Sequence, residues 1–81
     1  MASDHPKPTD PAFAKLESVF GREKARELVA EICRERAIDS LDHPQQRLVF
    51  GEALVARGGL LEMIGRAIKV QALLHGARPL Q

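Results

Sequence analysis

Apolar residues along this chain recur three and four positions apart, the spacing of a helix face, and nowhere alternate with the period of two that marks a strand. Phe13, Leu16, Val19 and Phe20 form the first stripe, and Gly21 closes it. Asp10 followed by Pro11 supplies an N-cap acceptor and a proline at the first helical position, where the missing N–H costs nothing. A second stripe, Ala25, Leu28, Val29, Ile32 and Cys33, is rotated by roughly 140° from the first at about 100° per residue. One straight helix cannot serve both, so the chain is expected to break at Gly21 and to run a second helix from Arg22 to about Ala37.

The tetrapeptide Asp42-His43-Pro44-Gln45 has the form of a capping box and predicts a third helix from about Pro44. That helix carries Leu48, Phe50, Leu54 and Val55 on one side and Val49, Ala53 and Ala56 on another, and stops at Gly58-Gly59. A fourth runs from about Leu60 to His75, with Gly76 as the residue that ends it and Pro79 soon after. The expected fold is all-α: a compact four-helix bundle-like domain of one short and three longer helices, with helices three and four as a central antiparallel hairpin. Residues 1–9, polar and broken by prolines, are expected to be a flexible leader, 10–78 the helical domain, and 79–81 a tail.

Helix four carries a mainly apolar arc of roughly 200°, from Val70 through Met63, Leu74, Ala67, Leu60, Ile64, Ile68 and Leu61 to Ala72. A surface helix needs little more than about 100°, so this helix is expected to be covered from two sides. Gly51 and Gly65 lie mid-helix, where glycine costs about 1 kcal/mol against alanine, and point to close helix crossings within the chain. Gln71 projects into the arc. It either bonds a backbone group or Arg47, or forms a register-setting pair across a dimer axis.

Length then gives the wide arc a meaning. A chain of 81 residues buries only about 60% of the surface its unfolded form exposes, and small domains commonly gain stability by oligomerising. The expectation is a homodimer or a protein partner held through Val49, Leu61, Ile68, Gln71 and Leu74. Glu23, Glu27, Glu31 and Glu35 follow at four-residue spacing on helix two, and Glu27 with Glu31 offers a secondary acidic surface.

Charge and chemistry exclude more than they suggest. Twelve Lys plus Arg against eleven Asp plus Glu leave a formal net charge of +1, far from a strongly basic nucleic-acid or membrane-surface binder. His5, His43 and His75 have no metal-ligand spacing, and Cys33 has no second cysteine to join it, so neither a metal site nor a disulfide is expected. Gly58-Gly59 lacks the Lys-Ser/Thr of a phosphate loop. With no nucleophile–base pairing either, the chain reads as non-enzymatic and without a cofactor. No secretory signal or membrane span is visible, which makes the expected location cytoplasmic.

Two other functions are kept open. A helix–glycine turn–helix run over 50–69 is the basis for a DNA-binding regulator, although helix four offers base edges little beyond Glu62, Arg66 and Lys69. Asp39-Ser40-Leu41-Asp42 resembles the Asp-Ser-Leu of acyl carrier proteins, with a weaker echo at Val70-Gln71-Ala72. That resemblance implies phosphopantetheine on Ser40 at the start of a helix, whereas here helix two runs almost into Ser40 and Pro44 interrupts the turn that follows. The leading expectation is a small protein–protein interaction module, a regulatory adaptor acting as a homodimer.

Overall fold

The periodic stripes become four helices in a computed structural model that describes residues 11–79: α1 Pro11–Phe20, α2 Arg22–Glu35, α3 Pro44–Arg57 and α4 Gly59–Leu74. The expected all-α, bundle-like fold holds, and no strand occurs among the described residues. Gly21, at φ 88°, turns the chain between α1 and α2 in a backbone region that disfavours side chains. Asp10, the leader and residues 80–81 lie outside the described residues.

The helix ends follow from backbone hydrogen bonding. At the end of α2 the Ile38 amide donates to the Cys33 carbonyl (2.8 Å) and the Ala37 amide to that of Arg34 (3.4 Å), a Schellman arrangement. It places Ile38 in the core, but it forces Ala37 to φ 54°, a left-handed conformation that costs an L-residue roughly 1–2 kcal/mol. Ala37→Gly is therefore expected to raise the unfolding free energy by about 0.5–1 kcal/mol, read as a higher urea midpoint at unchanged slope. The end of α4 has the same pattern with glycine in the strained place. Ala77 donates to Ala72 (3.0 Å), Gly76 to Leu73 (3.2 Å), and Gly76 takes φ 111°.

One expected local device is absent. The residue capping α3 is His43, with no side-chain cap bond, so the Asp42–Gln45 capping box does not form. Gln45 is used elsewhere: its Nε2 donates to the Arg78 carbonyl (3.1 Å) and its Oε1 accepts from the Arg78 amide (2.8 Å). These two bonds hold the chain after α4 against the start of α3, where Leu48, Ala72 and Ala77 make a small second core. Arg47 ties down the α2–α3 loop by donating from Nη1 to the Leu41 (2.9 Å) and Asp42 (3.2 Å) carbonyls. It is consequently not the partner of Gln71.

The main core joins all four helices: Leu16 from α1, Ala25 and Ile32 from α2, Phe50, Ala53 and Leu54 from α3, and Ile64 and Ile68 from α4, with Ile38 from the loop. Phe13 stacks on Phe50 at a centroid distance of 5.3 Å. The closest pairing is α3 with α4. Leu48 lies with Ala72 at one end, and the backbones meet where Gly51 faces Gly65, so the two helices run antiparallel over several turns. A Cβ on Gly65 would come within 2.6 Å of the Gly51 carbonyl oxygen and 2.8 Å of the Val55 nitrogen. Both mid-helix glycines thus serve close packing inside the chain, as their sequence position suggests.

Candidate functional site

α4 presents two apolar faces, and only one of them is covered. Leu61, Ile64, Gly65, Ile68 and Ala72 turn toward α1 and α3 and are buried or half-buried. About 130° around the helix lie Leu60, Met63, Ala67, Val70 and Leu74, all exposed. The four large side chains keep 54%, 68%, 54% and 72% of their surface in water. The expectation of cover on both sides is therefore corrected: α1 and α3 reach one side of α4, and among the described residues the second side is bare.

The bare stripe has a specific geometry. Its members step by three, four, three and four, an average of 3.5 residues, which is the seam of one helix lying along another. It extends for roughly 21 Å at 1.5 Å per residue. No member carries a charge. The basic groups beside it are engaged within the chain: Arg66 pairs with Glu62, and Lys69 Nζ lies 3.3 Å from a carboxylate oxygen of Glu52. Gln71 borders the stripe, half-buried and with no side-chain hydrogen bond among the described residues.

The residues singled out in the sequence divide accordingly. Leu74 belongs to the stripe and Gln71 to its edge. Val49 and Leu61 are half-buried and pack against the main core. Ile68 is fully buried in that core and has no surface for a partner, which corrects its assignment to an interface. Leu60, Met63 and Val70 belong to the apolar arc in sequence, and only the fold shows that they are exposed. The signal that separates the two faces is Gly65: a mid-helix glycine marks the side where a neighbouring backbone comes close, so the stripe without it is the one left over.

On α2, Glu31 and Glu35 converge on Arg57 of α3, with oxygens 3.3 Å and 3.2 Å from Nη2. The two carboxylates, Glu31 first, hold the guanidinium pKa above its ordinary value. The pair is exposed and links α2 to α3 weakly, within the ~0–1 kcal/mol of surface ion pairs. Glu31 is thus partly neutralised within the chain, and the secondary acidic surface reduces to exposed Glu27 with a compensated neighbour.

Chemistry-bearing residues are scattered. Among the described residues no group of three His, Cys, Asp or Glu side chains could hold a metal ion. Cys33 is half-buried against the core, and burial raises its thiol pKa. Less thiolate at neutral pH means a poor nucleophile. Native Cys33 should accordingly react with iodoacetamide several-fold more slowly than the urea-unfolded chain, measured by mass spectrometry. The raised value also lowers stability as pH climbs above the ordinary thiol range, since the unfolded chain then loses its proton first.

Ser40 sits in the α2–α3 loop, four residues before α3, and its Oγ accepts a hydrogen bond from the Asp42 amide (3.0 Å). A carrier serine would open the helix, so the local resemblance to acyl carrier proteins does not extend to this placement. Residues 50–69 run from the middle of α3 through the Gly58 turn into α4, and the two helices approach backbone to backbone at Gly51 and Gly65. No helix among the described residues is long and apolar enough to cross a membrane. Compared with protein families, curated proteins and solved structures, the chain matches none.

Proposed function

We propose that this protein is a non-enzymatic protein–protein interaction module, a small regulatory adaptor whose docking surface is the α4 stripe. One observation carries the reading: five uncharged residues at coiled-coil spacing, Leu60, Met63, Ala67, Val70 and Leu74, stand in water along one helix. Isolated apolar side chains on a surface need no explanation, but a contiguous strip of this length marks an interaction site. Its spacing suits a helical partner laid along α4. A duplex-binding surface would instead need free cations, and Arg66 and Lys69 are both paired with carboxylates.

The test places a photoreactive residue in place of Met63, and in a control in place of exposed Glu23 on α2, and irradiates each protein in native cell extract. Protein adducts through position 63 and none through position 23 are expected. The reading fails if position 63 forms no protein adduct, or if the chain binds duplex DNA tightly with a steep loss on adding salt.

A further inference from the structure

We infer that the occupant of the α4 stripe is a second copy of this chain, the two α4 helices lying antiparallel and crossing at Ala67. This rests on the reading of the stripe as a protein-docking surface and names what docks there. The stripe is nearly symmetric about its centre. Leu60 stands seven residues before Ala67 and Leu74 seven after it, while Met63 stands four before and Val70 three after. A two-fold axis through Ala67 brings Leu60 onto the other copy's Leu74 and Met63 onto its Val70. Large side chains then meet large ones at both ends, and the smallest residue sits where the helices come closest. Self-complementarity of this kind is what a two-fold interface requires of a single surface.

Size and charge agree with that occupant. The exposed parts of the five residues amount to roughly 500 Å² per copy, so pairing buries about 1,000 Å² in total, the lower limit for a specific protein interface. An interface of that size fits a reversible dimer in the micromolar range. No like charges are brought together within the seam, because none of its five positions is charged. At about 20° of drift per heptad the stripe winds around α4 in the sense of a left-handed supercoil, which two copies share.

The experiment is sedimentation velocity on the full chain from 1 µM to 1 mM, with circular dichroism recorded on the same samples. Wild type should move from monomer to dimer across this range, with added salt leaving the transition in place. Ala67→Glu puts two carboxylates at the crossing while keeping a strong helix former on an exposed position. It should weaken dimerisation at least tenfold with helix content unchanged.

Orientation is tested by Met63→Lys and Val70→Glu. Each alone should weaken the dimer, and an equimolar mixture should recover it as a heterodimer, because antiparallel pairing sets position 63 against position 70. A mixture that stays monomeric overturns the antiparallel arrangement, as does an unaffected Ala67→Glu dimer. A wild type that remains monomeric to 1 mM overturns the second-copy assignment. If position 63 still forms adducts with another protein, the docking reading survives that result; if it forms none, both fall. Binding of the monomer to phosphatidylcholine vesicles, abolished by Ala67→Glu, would replace the second copy with a lipid surface.

Discussion

Phe50→Ala is expected to cost about 3–5 kcal/mol of unfolding free energy, the range for truncating a fully buried aromatic residue. Phe50 is the largest of the fully buried side chains, and it lies in the cluster that joins all four helices. Its ring also stacks on Phe13, a contact worth roughly 0.5–1.5 kcal/mol beyond area burial. A domain of this size has on the order of 4–10 kcal/mol in total at ~0.05–0.15 kcal/mol per residue. The substitution should therefore leave a marginally folded chain. Urea denaturation followed by circular dichroism, at one protein concentration, reads the effect. Phe50→Leu, which keeps much of the volume but loses the ring stack, should lose clearly less than Phe50→Ala, about 1–2 kcal/mol. Equal losses for the two variants would show that Phe50 does not fill a closely packed site.

The second large effect is expected at Gly65, where alanine should lower stability by about 2 kcal/mol although it is the better helix former. Helix propensity favours alanine by about 1 kcal/mol. Against this, the added Cβ would meet three atoms below 3.0 Å, the Gly51 carbonyl oxygen, the Leu54 Cβ and the Val55 nitrogen. Two of these are backbone atoms and cannot rotate away, so α3 and α4 must separate, and overpacking of this kind typically costs about 1–3 kcal/mol or more. In a domain this small the loss should lower the melting temperature by about 8–16 °C. Gly51→Ala should also destabilise but by less, since its Cβ would meet one backbone atom below 3.0 Å, the Gly65 carbonyl oxygen at 2.9 Å, beside the Lys69 side chain at 2.7 Å. If Gly65→Ala melts higher than wild type, the backbones do not meet at that crossing.

Those two residues also show what a sequence reveals about packing. Phe50 is legible as a core residue because it is aromatic on an apolar face, and aromatic burial depends little on which neighbour covers it. Gly65 is legible as a close approach, but its partner is not, because nothing local says which helix comes near. The capping box at Asp42 fails for a similar reason: Gln45 has the right spacing to reach back, yet the Arg78 backbone offers it two hydrogen bonds from 33 residues away. Ile68 reads as an interface residue in sequence because the arc of α4 is continuous in projection, and only the positions of α1 and α3 divide it.

What the amino-acid order determined alone is the set of helices and their limits. Stripe spacing, Pro11, Pro44 and the glycines at 21, 58, 59 and 76 act within a turn or two of chain, where backbone sterics and hydrogen bonding are local. Tertiary structure decided how the apolar surface is shared. Burial depends on which elements arrive from distant sequence, and among the described residues the other three helices cover one face of α4 but not the other. The exposed face, and with it the proposed docking surface, exists only once that choice has been made.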